Sequence, residues 1–131
     1  YKEEQKMIDE TRKILHEPDM KVTATCVRVP VFYGHSESVN IEFEKPATPE
    51  QVRAVLEKAP GLIVIDDPAN HGYPTALECA DKDEVFVGRI RRDFTVNSGV
   101  NMWIVADNIR KGAATNAVQI AQLLIGRTCA R

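Results

Sequence analysis

The chain has no Gly-x-Gly-x-x-Gly fingerprint and no other glycine-rich loop able to cradle a pyrophosphate. On that reading it does not form a complete dinucleotide site by itself. No apolar stretch is long enough to cross a bilayer, and no secretory signal is visible. Cysteine is scarce: three residues at irregular spacing, an odd number that does not make a disulfide framework and fits a reducing cytoplasm. Neither sign of charge dominates, since 17 Lys and Arg face 19 Asp and Glu for a net −2. That balance leaves no basic footprint for nucleic acid and no charged tail. Internal repeats and low-complexity segments are also missing. With 131 residues, 44% of them hydrophobic and 27% charged, the composition is that of a soluble globular protein able to bury one core but hardly two.

What is present centres on Cys26-Val27-Arg28-Val29-Pro30-Val31-Phe32-Tyr33-Gly34-His35-Ser36-Glu37. One guanidinium and one imidazole lie seven residues apart on an apolar, β-prone run. A straight strand would aim residues at odd spacing to opposite faces. Pro30 cannot donate to a ladder, however, and Gly34 permits a bend, so Arg28 and His35 could converge at a strand end.

The remaining pattern is that of an α+β protein. Residues 3–15 read as a helix, with Met7, Ile8, Thr11, Ile14 and Leu15 near helical spacing, closed by His16-Glu17-Pro18-Asp19. A strand is expected from about Val22. A half-buried one alternates Val39, Ile41 and Phe43 with Asn40, Glu42 and Glu44. If it extends back, His35 and Glu37 share the apolar face, and His35 should be partly desolvated there, which suits a base near neutral pH. Thr48-Pro49-Glu50-Gln51 carries a capping box for a helix with Val52, Val55 and Leu56 inside, ended by Pro60-Gly61. Leu62–Ile65 reads as a short strand. Glu84–Phe94 and Val100–Ala106 read as a hairpin. An amphipathic helix follows Gly112-Ala113-Ala114 and ends at Gly126, leaving residues 127–131 as a loose tail.

Most polar groups have an ordinary explanation to set beside a functional one. Glu3 and Lys6, three apart, can project from one side of the first turn, and on pattern alone the favoured reading is a solvated ion pair. Arg28 needs a partner: a structural carboxylate, or a ligand carboxylate suited to its planar fork, and these alternatives stand level. Cys26 lies beside Arg28, where a cation could lower a thiol pKa, but it sits in an apolar run; Cys26, Cys79 and Cys129 are read as non-catalytic. Asp66, Asp67 and His71 match no metal-ligand spacing, and turn chemistry accounts for them. His16 and His71 are ordinary histidines. Asn108 can cap the helix that follows. Arg110 and Lys111 could aid a phosphate but fit a solvated face.

The Cys-Val-Arg-Val-Pro-Val and Gly-His-Ser-Glu motifs resemble the bacterial aspartate-semialdehyde dehydrogenase family. So do Glu3-Glu4-Gln5-Lys6, Glu10–Leu15, Val87-Gly88-Arg89-Ile90-Arg91 and Met102–Ala114, in the family's order and over nearly the whole chain. The resemblance implies reduction of L-aspartyl 4-phosphate to L-aspartate 4-semialdehyde with NADPH, a step toward lysine, threonine and methionine. It implies His35 as the catalytic acid/base; Ser36 and Glu37 could orient its ring, and neither is assigned a chemical role. It implies substrate binding by Arg28 at the α-carboxylate, Glu3 at the amino group and Lys6 at the phosphate. It also implies a cofactor contact by Asn108, where some relatives carry Gln. The family's nucleophilic cysteine and nucleotide-binding region precede everything seen here, and the chain opens at Tyr1. It is accordingly expected to be the carboxy-terminal part of the enzyme, acting with the missing amino-terminal portion as a homodimer or homotetramer.

The expected organisation is a mixed or antiparallel sheet with helices on one face, residues 1–106 forming the catalytic and dimerisation portion. Residues 107–131 form a final helix that packs on the absent nucleotide-binding domain. Two other readings remain: an N-acetyl-glutamyl-phosphate reductase-like enzyme, against which Glu3 and Arg28 argue by addressing a free amino-acid head, and a non-catalytic dimerisation module.

Overall fold

The computed structural model describes residues 1–128; Cys129 and the end of the expected tail lie outside them. The chain divides into two compact units, Tyr1–Pro30 and the remainder from Val31.

In the first unit, helix α1 spans Lys2–Leu15. It stops at His16, which adopts the left-handed conformation (φ 58°), and the Glu17 N–H returns to the Arg12 carbonyl at 3.0 Å. Arg12 Nε donates to the Met20 carbonyl at 2.8 Å, fixing the reversal after the helix. The strand expected from Val22 does not form: no ladder includes residues 21–33, and Val27, Val29, Val31 and Phe32 are exposed. The residue types favour extended backbone, but a strand exists only through a partner, and Pro30 removes one donor.

The second unit is a four-stranded mixed sheet with helices, an α+β arrangement as the sequence implies. Strands β1 (His35–Glu42), β2 (Leu62–Val64), β3 (Val85–Arg92) and β4 (Gly99–Ala106) lie in the order β1-β4-β3-β2. The β1–β4 and β3–β4 pairs are antiparallel and β2–β3 is parallel. Helix α2 (Pro49–Leu56) begins at the expected capping box, with Thr48 Oγ1 accepting from Gln51 N and Gln51 Oε1 from Thr48 N. Val52 and Leu56 of α2 pack on a core of Val87, Ile90, Val100 and Met102, joined by Val39, Ile41 and Phe43. The opposite face is covered as well: α3 (Ala76–Cys79) adds Cys79 to a smaller cluster with Phe86 and Val105. Neighbouring strand residues alternate faces, so Phe86 and Val87 serve the two clusters separately.

The β3–β4 ladder shifts register between Gly88 and Arg91, and Arg89 sits there at φ 53°. Asp66, just past β2, explains the irregularity. Its buried carboxylate accepts the N–H groups of Arg89 (2.8 Å) and Ile90 (3.1 Å) and pairs with Arg53 of α2. After β4, a turn leads into α4 (Ala114–Thr128), which runs straight through Gly126 rather than ending there. A glycine inside a helix costs roughly 1 kcal/mol against alanine, a penalty and not a stop signal. Among the described residues no helix is long and apolar enough to cross a membrane.

Candidate functional site

The first unit holds three of the residues the sequence singles out. Glu3 and Lys6 both project from the first turns of α1 and are exposed. Between them in sequence, Glu4 makes a structural contact: its Oε1 accepts the Cys26 N–H at 3.1 Å, while Cys26 Sγ lies 3.5 Å from Met7 Sδ. These two contacts tie the segment leading to Arg28 onto the helix that carries Glu3 and Lys6. Arg28 itself is exposed, and its guanidinium has no carboxylate partner among the described residues. The structural salt bridge that is its plain explanation is therefore not made within them. A shallow groove beside α1, lined by Arg12, Lys21, Val22 and Thr23, includes none of the three.

The second unit holds the other two. His35 is the first residue of β1, directly opposite Ala106, the last of β4. It shares parity with Val39 and Ile41 as expected, but it is exposed, and the partial desolvation expected of it is not found. Val39 and Ile41 pack against the core cluster, and that apolar packing stops short of the strand end. The preceding Gly34 has φ +90°, and a Cβ there would stand 3.2 Å from the Ala106 carbonyl oxygen, so a left-handed, closely packed glycine delivers the chain into His35. Asn108 is brought to the same place. Its Oδ1 accepts the Gly34 N–H at 3.0 Å, in place of the helix cap that is its ordinary reading.

Asp107, not singled out from the sequence, anchors that arrangement. Its side chain is buried, and it accepts the N–H groups of Asp81 and Ile109, each at 2.9 Å. Those donors, the Asp81 amide first, hold its carboxyl below the ordinary carboxylate value. Arg110 is likewise tied down, donating to Asp83 Oδ1 at 3.0 Å, rather than lying loose on a solvated face. The clue available in sequence is an Asx pair directly after an apolar strand, where side-chain oxygens commonly capture nearby amides.

The second carboxylate missed is Asp66, which the sequence offers only as turn or metal chemistry. It is occupied by Arg53 and by two backbone donors. Asp67 accepts from Asn70 within its own turn, and hydrogen bonding to Asn70 lowers its pKa. Cys79 is buried, and desolvation raises its thiol pKa, away from nucleophile chemistry.

The second unit, an α+β domain, thus presents an exposed histidine after a glycine turn and an amide tied to that turn, and the first unit presents an exposed arginine with no carboxylate partner among the described residues. Residues 1–111 match the model of the semialdehyde dehydrogenase dimerisation domain, and the chain belongs to this family. It is similar to the aspartate-semialdehyde dehydrogenases of Aquifex aeolicus, 63% identical over 124 residues, and Bacillus subtilis, 51% identical over 123. Those alignments cover 95% and 93% of this chain but 36% of each relative. A solved structure of aspartate semialdehyde dehydrogenase II from Vibrio cholerae, complexed with ASA, matches with a TM-score of 0.89 at 51% identity, over 95% of this chain and 36% of that one. The chain thus spans about a third of the length of the proteins it resembles.

Proposed function

We propose that this chain supplies the substrate-orienting and proton-transferring part of an NADP-dependent aspartate-semialdehyde dehydrogenase that interconverts L-aspartyl 4-phosphate and L-aspartate 4-semialdehyde. Family membership supports the reading, as does the crystallised relative with ASA. The observation that carries it is the placement of His35: exposed, first in β1, and delivered by a glycine turn that Asn108 holds.

In this reading Arg28 grips the substrate's α-carboxylate through its planar fork, Glu3 faces the α-ammonium, and Lys6 faces the phosphate. Holding both ends of a short, charged molecule fixes its acyl carbon in place, a gain of proximity rather than of new chemistry. A cysteine on an amino-terminal portion attacks that carbon and expels phosphate to give a thioester. His35 takes the thiol proton in forming the thioester and returns one when the aldehyde leaves. NADPH, when bound, supplies the hydride. Of this chain's groups Asn108 suits the cofactor: with Oδ1 engaged by Gly34, its Nδ2 remains a donor that fits a carboxamide oxygen. The enzyme would work in the cytoplasm as a homodimer, a partner the dimerisation-domain description of the matching family supports.

Mixing the chain with a separately produced amino-terminal portion carrying the cysteine and nucleotide fold tests this. Phosphate-dependent NADP reduction with aspartate semialdehyde is expected only from the mixture, and His35→Gln should lower kcat by about 10²- to 10⁴-fold. A folded mixture in which the His35→Gln variant is as active as the wild type would overturn the assignment.

A further inference from the structure

The β1–β4 ladder begins at His35 and Ala106, so the Gly34 N–H, one residue earlier, falls outside the regular pairing. It is not left to water. Two residues past Ala106 the Asn108 side chain folds back and gives it an acceptor at 3.0 Å. The turn that makes this possible is itself fixed, because buried Asp107 accepts from Asp81 and Ile109, and its carbonyl takes the N–H groups of Arg110 (3.1 Å) and Lys111 (2.8 Å). A rigid turn thus aims one amide oxygen at the residue that precedes the exposed histidine. At φ +90°, Gly34 has more conformational freedom than any other residue type would have there, and an external tether is what limits it.

We infer that Asn108 is a positioning residue for His35: by holding the Gly34 N–H it fixes the angle at which β1 presents the imidazole. This rests on the proposed proton-transfer role of His35 and adds a second duty to a side chain otherwise assigned to the cofactor. The two duties use different atoms, Oδ1 for Gly34 and the amide nitrogen for a ligand, so substitution separates them. Asn108→Asp keeps an oxygen for Gly34 and loses the donor. Asn108→Ala loses both.

The test uses the complete enzyme, with amide exchange at Gly34 and the His35 ring resonances followed by NMR without cofactor. Asn108→Ala should exchange the Gly34 amide about tenfold faster and shift the His35 resonances, while Asn108→Asp should leave both close to wild type. At saturating cofactor, Asn108→Ala should also lower kcat about tenfold, an effect that disappears in a His35→Gln background. Equal Gly34 exchange in the Asn108→Ala and wild-type enzymes, with only the cofactor KM raised, would overturn the inference. So would an Asn108→Asp variant that exchanges as fast as Asn108→Ala. Full activity of His35→Gln alone would instead sink the proton-transfer reading, and the exchange comparison would still decide the positioning one.

Discussion

Arg28 is the residue on which chemistry and stability separate most cleanly. Its guanidinium is exposed and makes no ion pair among the described residues, so the fold asks little of it. Replacing it with lysine keeps the charge but loses the two-pronged geometry. In the assembled enzyme Arg28→Lys should raise the substrate KM about tenfold or more while moving Tm by less than about 2 °C. Comparable losses in both would mark a structural arginine. Asp66 is the opposite case. Its buried carboxylate holds Arg53 and the strained Arg89 bulge, and Asp66→Ala should cost about 3 kcal/mol in a urea titration, since one cation and two amides lose their acceptor together. Nothing local in Ile65-Asp66-Asp67 announces this. The partners lie 13 to 24 residues away, and only the folded sheet brings them to one point.

At the scale of elements, much was legible wherever the signal was local. The Thr48 capping box is written in four consecutive residues and forms as read; Thr48→Ala should lower stability by about 1 kcal/mol, measured by thermal or chemical unfolding. The hairpin of β3 and β4 and the alternation of β1 follow from period-two patterning that matches their buried faces. The misses share one cause: a pattern can state what a segment favours but not what it will find to pair with. Residues 22–33 have strand-like composition and no ladder. Gly126 looks like a terminator and lies within a helix. The turn after β4 gives an element-level prediction about pH. Asp107 has its pKa depressed below 3.8 by backbone donors, so its contribution to stability is fully present above that value and is lost as pH falls through the lower folded-state pKa. Thermal unfolding between about pH 5 and pH 2 should therefore show Tm falling more steeply in the wild type than in Asp107→Asn, which starts lower and changes less. Parallel curves would mean that this carboxylate carries no such linkage.

For the whole molecule, the two units divide the proposed labour. The first carries the groups assigned to the substrate's charged ends, Glu3, Lys6 and Arg28. The second carries the groups proposed for proton transfer and cofactor contact, His35 and Asn108. Helix α4, which lies beyond the residues matched by the dimerisation-domain model, leaves Val118, Ile120 and Leu123 exposed. The site residues were legible only as a set. Arginine, histidine, glutamate and lysine are each ambiguous alone, and what joined them was the order of several motifs over nearly all of the chain, an order that family membership now accounts for. Their geometry as a group was not legible, because seven residues containing a proline and a turning glycine do not fix the direction of either end.

The most direct measurement is a crystal structure of the complete enzyme with aspartate semialdehyde bound. The account predicts one ligand molecule whose α-carboxylate is held by Arg28 through two hydrogen bonds and whose reacting carbon lies near the His35 ring. A ligand that touches neither side chain, or the two side chains turned toward separate cavities, would contradict it.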